Sequence, residues 1–225
     1  MEDIKTLKGL IESGFIKDDF FTGPASYFPH MALEYRKRNF LSDRHIEMIY
    51  ATLTAWGMHR LSKTGPKLPD FKHFKCHILH CKNELNKLKD VRIEDVPEGQ
   101  KDSLFSELKE LVFNKIHASE TNSQIVASTK TLAHILPDLI PPMDREYTAK
   151  FFGINIDTNQ GKETLFLVVM ATMWRIYQTD EVRKKALAYN KNHPFVSLPK
   201  LFDNAIIQIR REEDENAKKG KKGTK

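Results

Sequence analysis

Cysteine is scarce in this chain. Its 225 residues include only Cys76 and Cys81. Five positions apart on a helix, the two would point about 140° away from each other, which argues against a mutual disulfide. A chain with free thiols fits a reducing compartment, so a cytoplasmic location is expected. No Cys-x-x-Cys or His-Glu-x-x-His is present, so the usual zinc frameworks have no basis here. Long apolar runs are also missing. The longest, residues 165–177, is interrupted by Thr172 and Arg175 and falls short of the roughly 20 residues a bilayer needs. The opening Met1-Glu2-Asp3-Ile4-Lys5 carries acids early and no apolar stretch, unlike a signal peptide. Period-two alternation is absent, and no repeat emerges.

What is present is ordinary globular composition, 40% hydrophobic and 29% charged, which argues against a disordered chain. The net charge of +6 suggests nucleic acid, but its placement weakens that reading. Residues 217–225 hold five lysines and no acid. Removing those five from 36 basic residues leaves 31 against 30 acidic ones. The excess is mostly a Lys/Gly tail, expected to be disordered over 214–225.

Helical spacing runs through the rest. Ile46, Ile49, Tyr50, Leu53 and Trp56 predict a helix over 42–61, with Ser42 or Asp43 as N-cap. Phe105, Leu108, Leu111, Val112 and Ile116 predict another over 102–116. Ile125, Thr129, Leu132 and Leu136 predict a third over 122–136. Leu198, Leu201, Phe202, Ala205, Ile206 and Ile209 predict a fourth, opened by Ser197 and Pro199. Residues 163–178 are apolar almost all round and are expected at the centre of the core. Breaks fall at 62–69, 91–101, 137–142, 153–161 and 190–194. The expected fold is all-α, a compact orthogonal bundle of eight to ten helices without a sheet. It forms one globular domain over 1–213, with a sub-bundle conceivable before residue 95.

Four constellations could carry chemistry. His73, Cys76, His77, His80 and Cys81 crowd one short helix, but no second ligand cluster accompanies them, so no metal and no cofactor are predicted. Trp56-Gly57-Met58-His59-Arg60 puts a helix-interior glycine, suited to a close helix crossing, beside His59 and Arg60. Those two bases, with Lys63 and Lys67, suit a helix C-terminus and also a phosphate. Lys130 and His134 lie one turn apart, on the side of Ser123 and Ala127. After Pro137, Pro141 and Pro142 turn the chain, Asp144 can cap the next helix, with Arg145 following. Folded back together, Lys130, His134, Asp144 and Arg145 would border one concavity, with Lys130 as nucleophile or phosphate contact and Asp144 as base or electrostatic stabiliser. Finally, Asp203 sits on a helix apolar on two sides and needs a partner, for which Arg60, Arg145 and Arg175 are candidates.

At Ala55-Trp56-Gly57-Met58-His59-Arg60, at 130–148 and at Asp203-Asn204-Ala205-Ile206, the chain resembles a group of all-helical archaeal and bacterial proteins that carries no assigned activity. Over about thirty residues it is also similar to the helix-hairpin-helix DNA glycosylases. Val126-Ala127-Ser128-Thr129-Lys130-Thr131 resembles that family's hairpin and lysine. Pro141-Pro142-Met143-Asp144 resembles the segment carrying its catalytic aspartate. Ala127 and Thr129 replace the hairpin glycines, the lysine-to-aspartate spacing is about a turn shorter, and no iron–sulfur cysteine set occurs. The resemblance implies Lys130 and Asp144 as the acting pair, with Arg145, His134, His59 and Arg60 toward DNA or RNA. The alternative expectation is a helical interaction or scaffold protein without activity. No membrane partner is expected.

Overall fold

The structure is a computed structural model and describes residues 2–17, 21–59, 61–62, 65–119, 121 and 124–222. Ten α-helices are formed among them: α1 (Glu2–Ser13), α2 (Pro24–Arg38), α3 (Asp43–Leu53), α4 (Phe71–His80), α5 (Lys82–Leu88), α6 (Glu98–Glu110), α7 (Gln124–Ile135), α8 (Asn159–Tyr177), α9 (Asp180–Asn192) and α10 (Leu198–Lys222). Wide π-type turns follow α3 (Thr54–Met58) and α6 (Leu111–Lys115), and another opens a short helix at Arg145–Ala149. The fold is all-α. The β pairing among the described residues is one short antiparallel rung pair, Leu61 with Pro66 and Ser62 with Gly65. It makes no layer. No helix is long and apolar enough to cross a membrane, among the described residues.

One continuous apolar core runs from Leu7 in α1 to Ile209 in α10. The ends of the chain meet, since α1 packs on α9 and α10. Gln208 Oε1 accepts from the Lys17 amide at 3.0 Å, and the Tyr189 hydroxyl donates to the Ile16 carbonyl at 3.0 Å. The middle of the molecule is α7, which packs on α2, α3 and the turn after α6.

Several helices start and stop where sequence chemistry places them. Ser42 accepts from the His45 amide and caps α3. The Ser197 hydroxyl accepts from the Lys200 amide at the start of α10. The predicted helix over 42–61 ends early, however. Gly57 adopts φ 82°, a left-handed conformation that glycine enters without a Cβ clash. It lets the chain turn at the end of α3.

The expected central helix is also reassigned. On α8, Leu167 and Val168 are 40% and 36% exposed, so one side faces solvent. The enclosed element is α10, where every residue from 201 to 209 is buried. Three polar residues, Asp203, Asn204 and Gln208, lie inside that run. Beyond it, α10 continues to Lys222 with 212–219 exposed. Of the 214–225 tail, 214–222 are helical, and 223–225 lie outside the described residues. Glu, Ala and Lys are favourable helix formers, and they propagate a helix that is already nucleated.

Candidate functional site

Three segments converge on one cleft. The wide turn after α3 brings Trp56. The middle of α7 brings Lys130 and His134, and the first half of α10 brings Lys200, Asp203 and Asn204. The proline turn 137–143 closes one side and delivers Asp144.

That turn is fixed to α7 at the residue beside Lys130. The Thr129 hydroxyl donates to the Ile125 carbonyl at 2.8 Å and accepts from the Met143 amide at 3.1 Å. Asp144 therefore arrives in a set position. Its Oδ1 accepts from the Tyr147 amide at 2.8 Å, while its own amide donates to the Thr148 hydroxyl at 3.1 Å. This reciprocal cap satisfies two donors of the helix start. The other oxygen, Oδ2, lies 3.8 Å from Lys130 Nζ. One carboxylate thus caps a helix and faces an amine.

Lys130 is only 13% exposed in its side chain. Burial pushes the amine below its ordinary range, and Asp144 and then Asp203 oppose that shift. Lys130 Nζ lies 5.4 Å from the centre of the Trp56 ring, and Lys200 Nζ lies 5.9 Å from it. Phe21 stands 6.2 Å from Trp56, centre to centre, tilted by 33°. The Trp56 ring nitrogen donates to the Ala25 carbonyl at 2.9 Å, which holds the indole against the start of α2. Asp203, 5% exposed, accepts from Lys200 Nζ at 2.5 Å. Burial raises its carboxyl pKa, with Lys200 acting against the rise.

Two connected hollows result. The wider, about 480 Å³, is bordered by His59, Lys130, Asp144, Tyr147 and Asp203. The narrower, about 90 Å³, is bordered by His134 and Asn204 among apolar walls that include Pro137, Ile140 and Phe195. Trp56, Phe21 and Lys200 border both.

A chain of hydrogen bonds fixes the histidines behind this cleft. The Leu41 amide donates to His45 Nδ1 at 3.1 Å, so His45 Nε2 carries the proton it gives to the His134 carbonyl at 3.2 Å. His134 Nδ1 donates to the Lys130 carbonyl at 2.8 Å. A carbonyl oxygen only accepts, so both tautomers are set by their partners. Burial pushes both imidazoles down to about 4.

The predicted site residues are therefore distributed unevenly. Lys130 and Asp144 come together in the wider hollow. His134 is beside them but is 4% exposed and neutral near pH 7, so it is no cation for a phosphate. His59 is exposed at the rim, its Nδ1–H given to the Thr54 carbonyl at 2.8 Å. Arg145 is exposed and paired with Asp157 at 2.7 Å. It borders shallower hollows, not the one holding Lys130. Arg60 and Ser123 lie outside the described residues. The partner of Asp203 is Lys200, not one of the arginines proposed for it. Residues 126–129 lie in the first half of α7.

Sequence reasoning missed Lys200 and Asn204 and gave Trp56 no partner. A signal existed. Lys200, Asp203 and Asn204 share one face of α10 at spacings of three and four, on an otherwise apolar helix.

His73 Nδ1 is 2.5 Å from Asp70, which caps α4, and His77 stacks edge-on with His117 at 5.1 Å. Among the described residues no group of three or more His, Cys, Asp or Glu could hold a metal ion.

Comparison of the chain with protein families, with characterised proteins and with solved structures returned no match.

Proposed function

We propose that this protein is nucleic-acid-associated and that the Trp56 cleft receives a single base drawn out of a strand. One observation carries this reading: a buried amine and a carboxylate, Lys130 and Asp144, stand beside an aromatic wall in an open hollow. Phe21 and Trp56 touch each other, ring centres 6.2 Å apart and tilted by 33°, so a base would stack on this pair and not between its rings. Base–aromatic stacking of this kind contributes about 1–3 kcal/mol per base.

The acting pair then has defined roles. Burial increases the neutral fraction of Lys130, and a neutral amine is the nucleophilic form. Asp144 Oδ2 supplies negative charge beside the carbon under attack, where positive charge develops on the sugar. These are the roles that similarity to the helix-hairpin-helix glycosylases implies for the two residues.

The test uses the full chain and a single-stranded oligonucleotide bearing one abasic site. If Lys130 is the nucleophile, its amine adds to the sugar aldehyde and loses water, and borohydride reduces the resulting imine to a stable cross-link. The cross-link is expected with the natural chain and with His59→Ala, and is expected to vanish in Lys130→Ala. A cross-link that survives in Lys130→Ala removes Lys130 from the role. Absence of any strand binding ends the base-binding reading.

The interaction-protein reading has Leu167 and Val168, adjacent and exposed on α8. Two such residues fall well short of the several hundred Å² that mark a docking patch.

A further inference from the structure

The narrow hollow beside Trp56 has Ser26, His30, Ser197 and Lys200 in its lining, and two further polar side chains that are almost fully enclosed. His134 is 4% exposed and Asn204 is 2% exposed. The Nδ1–H of His134 is committed to the Lys130 carbonyl. Its Nε2 is therefore a bare lone pair, and among the described residues no group donates to it. The Asn204 amide likewise has no hydrogen-bond partner among the described residues. Neither is sealed off, since both border the hollow. Both residues open onto the hollow, so one occupant there can meet both.

The groups themselves specify what that is. His134 Nε2 accepts and cannot donate, so the occupant must present an N–H. Lys200 borders the same hollow; its ammonium gives one N–H to Asp203 and keeps two, which an occupant meets best with an acceptor. An oxo oxygen, with its partial negative charge, meets a cation better than a ring nitrogen does. The Asn204 amide carries both a donor and an acceptor and can serve either neighbour. An N–H beside a C=O is the edge of a cyclic amide.

Taking the base-binding reading as its ground, we infer that His134 and Asn204 are specificity-determining residues that select a base with a lactam edge. The N–H of that edge goes to His134 Nε2, its oxo oxygen faces Lys200, and Asn204 bridges the two. The class comprises the uracil-like and hypoxanthine-like bases. Cytosine-like and N-methylated rings lack this edge. The volumes suit the division of labour. About 90 Å³ admits the polar edge of one ring, while the ring body and sugar occupy the wider 480 Å³ beside Trp56 and Lys130.

The experiment compares short single strands that differ at one central nucleotide: deoxyuridine, 3-methyldeoxyuridine, deoxyinosine, 1-methyldeoxyinosine or deoxycytidine. Each is titrated against the full chain and followed by fluorescence anisotropy. The deoxyuridine and deoxyinosine strands are expected to bind about tenfold more tightly than the others, the effect of one buried hydrogen bond left unmade. Asn204→Leu and His134→Phe are each expected to reduce that preference to less than twofold while the methylated strands bind as before. Asn204→Asp, with the amide donor replaced by a second acceptor, guards against loss of fold as the cause and is expected to weaken the lactam strands alone. Equal binding of all five strands would overturn the lactam assignment, and the hollow would hold water only, leaving the base-binding reading intact. No binding of any strand would overturn both.

Discussion

At the scale of single residues, the two buried histidines make stability depend on acid. Their folded values, about 4 for both, lie below the ordinary 6.5, so the unfolded chain binds protons first as pH falls. The stability they contribute is complete above pH 6.5, declines as pH falls toward 4, and is fully lost below that. Each shift corresponds to about 3 kcal/mol at most. Melting temperature followed from pH 7 to pH 4 should fall steeply, and more shallowly in His45→Gln, which can keep a hydrogen bond without titrating. A profile unchanged by that substitution would place the acid sensitivity elsewhere. Asp144 separates two roles in the same way. Asp144→Asn keeps an oxygen for the Tyr147 amide and should leave most of the cap. Asp144→Ala loses the cap, about 1 kcal/mol, and also leaves Lys130 half-enclosed without its nearest anion. Urea unfolding should therefore rank the natural chain above Asn and Asn above Ala. The cross-link to an abasic strand should weaken in both.

At the scale of elements, the link between α7 and the proline turn determines where Asp144 stands. Thr129→Val keeps the side-chain shape but removes both the donor to Ile125 and the acceptor for the Met143 amide. The buried Met143 amide would then be unpartnered. We expect a loss of about 1–3 kcal/mol and weaker strand binding, although residue 129 does not border the hollow that holds Lys130 and Asp144. Binding that is unchanged despite lower stability would show that the turn holds Asp144 without this bond. Such links explain what the sequence made legible. Helix spacing gave the class of fold and the starts of α3 and α10, because apolar periodicity and N-caps are local. Asp144 as a cap, and its return toward Lys130, were legible from the prolines and from the polar side of α7. The exchange of rank between α8 and α10 was not, since an all-apolar helix can border solvent when a neighbour with polar residues is enclosed instead. Asp203, Asn204 and Lys200 read locally as interruptions of a stripe. Only the arrival of Trp56 and α7 makes them the lining of a hollow, and that depends on contacts more than sixty residues apart in sequence.

At the scale of the whole molecule, charge and cleft are separated. The body is nearly neutral, while α10 carries its lysines outward on an exposed extension past residue 212. The cleft itself offsets Lys130 and Lys200 with Asp144 and Asp203. Affinity for a polyanion and selection among bases should then come apart. Removing residues 217–225 takes away five lysines, and the side chains described there, 217–219, are exposed. The melting temperature should change by little, because nothing described beyond residue 212 is packed. Binding of a generic single strand should lose salt dependence. On a plot of log K against log salt the slope falls by about 0.7 for each single-strand phosphate contact removed, or about 0.9 on a duplex. Preference for one central base over another should persist, because Trp56, His134 and Asn204 are untouched. If the truncated chain instead keeps its full slope, the phosphates are met by the body, and the rim around His59 becomes the place to look for them.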